Sequence, residues 1–185
     1  MKRKIVVSIV VLLLCVSVAG AFAAEKKSSQ IPWLASLNGP GTINFTVTGG
    51  YTWWGLGLNA GAEFTLNQFA LGPIPLDFGI TAQGSAGFGG FGIGVAVAGL
   101  ATLNLGFDFG QSLKFEAFLG LGPGMLLETW GGAAGMGIGL AQYGGWTWWF
   151  SKNMGLTGEE GWVNTFGWAG GWGWYFFGIG VTFKL

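Results

Sequence analysis

The sequence predicts an all-β chain, folded as a transmembrane up-and-down antiparallel β-barrel of about eight strands. Three observations carry that expectation. Apolar residues alternate with small or polar ones along one segment after another, aromatic residues gather at the ends of those segments, and a secretory signal precedes them all.

The chain opens Met-Lys-Arg-Lys, continues through the apolar run Ile5 to Val18, and reaches the small-residue stretch Ala19 to Ala23. A basic start, a short apolar core and small residues define a signal peptide over residues 1–23, with Ala21-x-Ala23 as the cleavage site. The apolar core is short for a bilayer anchor. Cys15, the one cysteine, lies within this segment behind Leu14, where lipid attachment would require a smaller residue. Residues 24–40 then form a periplasmic N-terminal segment and residues 41–185 the barrel.

Beyond the signal there is neither cysteine nor histidine, which excludes disulfide scaffolds, thiol nucleophiles and Cys/His zinc sites. No cofactor and no metal is expected. Removing Lys2, Arg3 and Lys4 from the eight basic residues leaves five against eight acidic ones, with no basic patch for nucleic acid. With 38 glycines in 185 residues and 16% aromatic content, the chain is too apolar for disorder and too glycine-rich for an ordinary soluble core. One membrane domain fits it best.

The strands follow in order. In the first, Ile43, Phe45 and Val47 alternate with Thr42, Asn44, Thr46 and Thr48. The second sets Leu56, Leu58, Ala60, Ala62, Phe64 and Leu66 against Gly57, Asn59, Gly61, Glu63 and Thr65; the third sets Leu76, Phe78, Ile80 and Ala82 against Asp77, Gly79, Thr81, Gln83 and Ser85. The fourth, Phe91 to Phe109, is uncharged as far as Phe107 and looks at first like a spanning helix. Its odd positions, however, are greasy (Phe91, Ile93, Val95, Val97, Leu103, Leu105), and its even positions are small or polar (Gly92, Gly94, Ala96, Ala98, Asn104, Asp108). As a helix it would scatter four glycines round its circumference, each costing about 1 kcal/mol against Ala in water. As a strand it sorts three of them, Gly92, Gly94 and Gly106, onto one face.

The fifth strand alternates Leu113, Phe115, Ala117 and Leu119 with Lys114, Glu116, Phe118 and Gly120; the sixth alternates Met136, Ile138 and Leu140 with Gly135, Gly137 and Gly139. The seventh starts at Met154, and the eighth sets Phe177, Ile179, Val181, Phe183 and Leu185 against Gly178, Gly180, Thr182 and Lys184. Only a closed barrel satisfies every backbone group of such strands in lipid. A secreted β-sandwich would have to bury the greasy faces against each other, and would not need aromatics at both strand ends.

An even strand number puts both termini on the periplasmic side. Periplasmic turns are expected at Asn67 to Pro75, Gly110 to Ser112 and Ser151 to Asn153; outward loops at Gly49 to Trp54, Gly87 to Gly90, Gly122 to Gly132 and Asn164 to Gly173. The outer aromatic girdle would comprise Tyr51, Trp53, Trp54, Trp130, Trp162, Trp168, Trp172 and Trp174, with Phe88 beside them. Phe64, Phe69, Phe107, Phe109, Trp146, Trp148, Phe150 and Phe183 would form the inner one.

The signal, the eight alternating segments, the stretch FSKNMGLTGE (Phe150 to Glu159) and the ending FFGIGVTFKL together resemble the small outer-membrane β-barrel families, including the barrel domain of OmpA-like proteins, OmpX and OmpW. The resemblance covers nearly all the mature chain, as a pattern rather than a single motif. It implies outer-membrane lipid around the barrel and a barrel-assembly machinery that reads the C-terminal strand. That strand departs from the usual aromatic ending, with Leu185 last and Phe183 before it.

Inward charges are expected at Glu63, Asp77, Asp108, Lys114, Glu116, Glu159 and Lys184, forming an ion-pair ladder such as Asp108 with Lys114 or a cation-preferring constriction. Farther out, the inward glycines either curve the sheet, leave a cavity, or make room for Phe118, Tyr143 and Phe176. Ile31 to Gly39 is a candidate plug through Trp33 and Leu34. Glu160 and Gln142 break the pattern, because alternation aims both at lipid; a bulge near Gly158 to Gly161 or a rim position would relieve Glu160. Three functions are compatible with these features: a non-enzymatic barrel serving envelope integrity, a narrow channel for small apolar or cationic solutes, and a barrel enzyme. Known barrel enzymes rely on histidine for proton transfer, and Glu159 and Glu160 point to opposite faces, so the enzyme reading is weakest.

Overall fold

In this computed structural model, residues 31–90, 92–110, 113–130, 132–166 and 173–185 are described. The expected signal peptide lies outside them. Among the described residues no helix is long and apolar enough to cross a membrane; the spanning elements are strands.

Eight strands close a ring. They are β2 (Ile43–Thr52), β3 (Gly55–Leu71), β4 (Ile74–Gly89), β5 (Gly92–Asp108), β6 (Lys114–Trp130), β7 (Ala133–Trp149), β8 (Met154–Phe166) and β9 (Gly173–Lys184). Each pairs antiparallel with the next, and β9 returns to β2. A two-residue strand, β1 (Leu34–Ala35), pairs with β5 at Phe107 and Gly106. Closure removes every sheet edge, the condition a β-structure must meet in lipid. Ile31, Leu185 and the ends of the strands that join β3 to β4, β5 to β6 and β7 to β8 lie at one rim, called here the near rim; the ends that join β2 to β3, β4 to β5 and β6 to β7 mark the far rim.

The exterior is a belt of Val47, Leu58, Ile80, Val97, Leu119, Ile138 and Ile179, all exposed. Their partners in alternation are buried inside: Asn44, Thr48, Asn59, Gln83, Asn104, Thr147 and Thr182. A soluble protein would invert this arrangement; a barrel with lipid outside requires it. The hydrogen-bonded row that starts at Ile43 runs through Phe64, Ile80, Ala101, Leu121, Gln142 and Trp162 to Tyr175. Since the next residue, Phe176, faces Thr52, the row returns to β2 ten residues above its start. With eight strands, that stagger tilts them by about 40°.

Several expected connections are shorter than the sequence suggests. The loop expected over Gly49 to Trp54 shrinks to Trp53–Trp54, because β2 stays paired to Thr52, and β4 continues through Gly87 to Gly89. Gly122 to Gly132 is not a loop, because β6 continues to Trp130 and β7 begins at Ala133. Gly122, Pro123 and Gly124 look like breakers, but Pro123 costs only a local gap in the ladder with β5, between Ala98↔Gly124 and Ala101↔Leu121. Pairing with β7 runs through all three residues. Likewise β3 extends to Leu71 and β4 starts at Ile74, so the turn expected over Asn67 to Pro75 shrinks to Gly72–Pro73, with Gly72 at φ 62°. A register shift between Thr65 and Asn67 inverts the faces beyond it and turns Gln68 toward the interior.

The bulge suspected near Gly158 is absent. Register between β7, β8 and β9 is continuous from Met154 to Asn164, so strict alternation holds there and Glu160 faces the exterior, exposed, as does Gln142.

Candidate functional site

The interior is the place where chemistry could occur, and it is built in three layers. At the near rim, the segment before β2 folds into the mouth. Asp77 accepts from the Ser36 hydroxyl and, at 3.0 Å, from the Asn38 backbone N–H. The Asn38 amide donates to Glu116 at 3.0 Å, as does the Trp149 indole at 3.3 Å. Gln68 donates to the Ser36 hydroxyl and to the Asn38 carbonyl, while the Lys184 ammonium donates to the Leu37 carbonyl at 3.0 Å and sits 4.1 Å over the Trp149 ring. Leu34 is buried, whereas Trp33 stays half exposed and stacks on Phe107 and Phe109 at the rim. The candidate plug segment therefore fills the mouth with Leu34 to Asn38, while Trp33 joins the near-rim aromatics.

The middle layer is polar. Asn104 donates to Glu63, and Glu159 accepts from Thr48, Asn59 and, at 3.2 Å, Gln83. Threonines pair across strands at Thr46–Thr182 (2.8 Å), Thr81–Thr102 (2.6 Å) and Thr147–Thr157 (2.9 Å). A cavity of about 40 Å³ remains among Glu63, Glu116, Glu159, Asn44, Phe118 and Tyr143. It is large enough for a few water molecules and no more.

The third layer is apolar. Trp174, Val163, Leu126, Leu100, Ala96, Ala141 and Tyr143 form one buried cluster, with Phe176 also fully buried. The inward glycines make room for these rings: a Cβ at Gly94 or Gly87 would overlap Trp174, at Gly161 Tyr143, at Gly178 Phe176, and at Gly145 Phe118. Two of the roles open to the glycines are therefore filled: Gly94 and Gly178 make room for rings, whereas at Gly92, Gly139 and Gly180 a Cβ would strike the backbone of the neighbouring strand, so there glycine serves the close approach of curved strands.

The anticipated site residues separate accordingly. Glu63, Asp77, Glu116, Glu159 and Lys184 converge on the near and middle layers, but not as an ion-pair ladder. Asp108 and Lys114, at the rim on facing positions of β5 and β6, form the one ion pair among the described residues, at 3.0 Å and well exposed. The interior acids are held by neutral amides, hydroxyls and an indole, donors that satisfy a buried carboxylate without bringing a second charge out of water. Asn38, Asn44, Asn59, Asn104, Gln83, Thr48 and Trp149 were not singled out as partners in the sequence. All but Asn38 share the inward parity of the acids, which is the signal that could have found them. No group of three or more acidic, histidine or cysteine side chains among the described residues is placed to hold a metal ion.

In the girdle, Trp53 and Trp162 meet edge-on at 6.1 Å, and Tyr175 packs on Trp162 at 4.4 Å, with Tyr51 exposed nearby on β2. Two members are reassigned. Trp174 lies inside the barrel with no exposed surface, on the inward parity of β9, and Trp54 is partly buried against the same cluster. Trp130 ends β6; Trp168 and Trp172 lie outside the described residues.

Fold and interior define a small, filled transmembrane β-barrel. A comparison with protein families returns no match, and neither does one with curated proteins. Among solved structures, the chain is similar to Neisserial surface protein A, with a TM-score of 0.48 and 14% identity over 78% of this chain and 95% of that one. It is also similar to Ail, the attachment invasion locus protein of Yersinia pestis, with a TM-score of 0.42 and 14% identity over 78% of this chain and 97% of that one. A structure of Ail in complex with the heparin analogue sucrose octasulfate gives a TM-score of 0.43 and 12% identity over the same shares.

Proposed function

We propose that this chain is a non-enzymatic structural barrel of the outer membrane of a diderm bacterium, with the near rim and both termini in the periplasm. The observation that carries the reading is the double seal: Ser36 to Asn38 close one end of the lumen, and Trp174 with Phe176 close the other. What lies between is a cavity of about 40 Å³, too small to pass a solute. A sealed barrel contributes a rigid, lipid-bonded wall and carries no current. The reading gains further support from the lack of histidine, since the interior acids are spent on structural hydrogen bonds rather than poised near a nucleophile.

The test is conductance of the refolded protein in a planar bilayer, with heat-modifiable gel migration reporting folding. A folded, electrically silent protein is the expected result. Discrete cation-selective steps that vanish on neutralising Glu63 or Glu116 would establish the narrow channel instead.

A further inference from the structure

Glu160 lies halfway along β8 between Met154 and Phe166, and Gln142 lies halfway along β7 between Trp148 and Met136. Both are exposed on the lipid-facing side. Neither side chain makes a hydrogen bond or ion pair among the described residues. A carboxylate and an amide at mid-depth with no partner in lipid cost free energy, up to a few kcal/mol for a charge at the midplane. The two belong to neighbouring rows, Gln142 opposite Trp162 and Glu160 opposite Gly144. The stagger of the barrel makes these rows climb toward the far rim from β7 to β8. That climb nearly cancels the two-residue step down β8, leaving Gln142 and Glu160 about 2 Å apart in depth and about 8 Å apart around the wall.

That geometry has a symmetry. An axis along the membrane normal, midway between the two side chains, passes close to Gly144 and Trp162. Rotation by a half turn about it brings an acceptor to face a donor, about 2 Å apart in depth, twice. We propose that β7 and β8 form a self-complementary lateral interface through which two copies of this chain pair in the bilayer, Glu160 of each copy meeting Gln142 of the other. Gly144 has no side chain beside this axis, so the two walls can approach closely there, whereas Gly158 is covered by the Trp146 indole. The interface rests on the reading that the barrel spans a bilayer.

Residue 144 offers the test. Its Cβ would meet only ordinary contacts, Phe118 O at 3.5 Å and Leu119 Cδ1 at 3.6 Å, and the mature chain has no cysteine of its own. Gly144→Cys, refolded into phosphatidylcholine vesicles and oxidised, is expected to give a disulfide-linked dimer. Gly84→Cys, on the exterior of β4 with open space around it, is expected to give little. Adding Glu160→Leu and Gln142→Leu to Gly144→Cys should lower the dimer yield about tenfold, the factor carried by 1.4 kcal/mol. A barrel that inserts and shows heat-modifiable migration but cross-links equally at both positions, or not at 144, or undiminished in the leucine variant, overturns the pairing and leaves the membrane reading intact. Failure of the parent protein to insert into vesicles overturns the membrane reading itself.

Discussion

The indole of Trp174 occupies the space that a side chain on Gly94 would need: a methyl group built there overlaps the ring. Trp174 is fully buried, so it has nowhere to go. Gly94→Ala should therefore destabilise the barrel by about 1–3 kcal/mol, the usual cost of overpacking. Gly84→Ala, whose added Cβ meets nothing, should stay within about 0.5 kcal/mol of the parent. Urea unfolding followed by gel mobility compares the two; equal losses would show that glycine matters here for the strand and not for the tryptophan.

The seal has two independent parts, and each alone should suffice. Trp174→Ala with Phe176→Ala empties the far layer, at a cost of about 3–5 kcal/mol per ring. Deleting residues 24–39 opens the near mouth. Only the combination is expected to conduct in a planar bilayer, and current from either single lesion would mean that the remaining layer is no barrier.

Glu159 binds three donors, Thr48, Asn59 and Gln83, contributed by three other strands. Glu159→Leu removes their common acceptor. Each buried donor left without a partner costs about 1–3 kcal/mol, so this variant should lose more stability than Lys114→Ala. The Asp108–Lys114 pair is exposed and worth at most about 1 kcal/mol, fading with salt. The urea midpoints of the two variants, at low and high salt, decide the ranking.

Val97 is exposed on the exterior of β5 and Ala98 packs against the interior cluster. Val97→Arg should lower the folded yield in vesicles, by up to about 2–4 kcal/mol in apparent stability if the residue sits near the midplane. Val97→Leu should fold like the parent. Equal yields from the Arg and Leu variants would sink the assignment of faces.

Alternation is a local property with a period of two, so the sequence by itself determined the class of fold, the strand count and which face of β5 meets lipid. The same parity read Phe118, Tyr143 and Phe176 as interior, because a side chain's side follows from its neighbours' sides. Where a Gly-Pro-Gly run interrupts the signal, local reading ends a strand. Only the continuous pairing of Pro123 and its flanking glycines with β7 shows that β6 goes on. Trp174 resembles a girdle residue because tryptophan is common there; the space left by Gly87 on β4 and Gly94 on β5, both distant in sequence from β9, holds it inside.

What only the tertiary structure decided is who meets whom across the lumen. Asn38, in the segment before β2, and Glu116 on β6 are far apart in the chain, as are Asn59 and Glu159, whose strands β3 and β8 are not neighbours. Their meeting depends on the ring's diameter and stagger, which no stretch of sequence encodes alone. The depth shared by Gln142 and Glu160 has the same origin. Each faces lipid because of its parity, but they stand side by side because eight strands close with a stagger of ten residues.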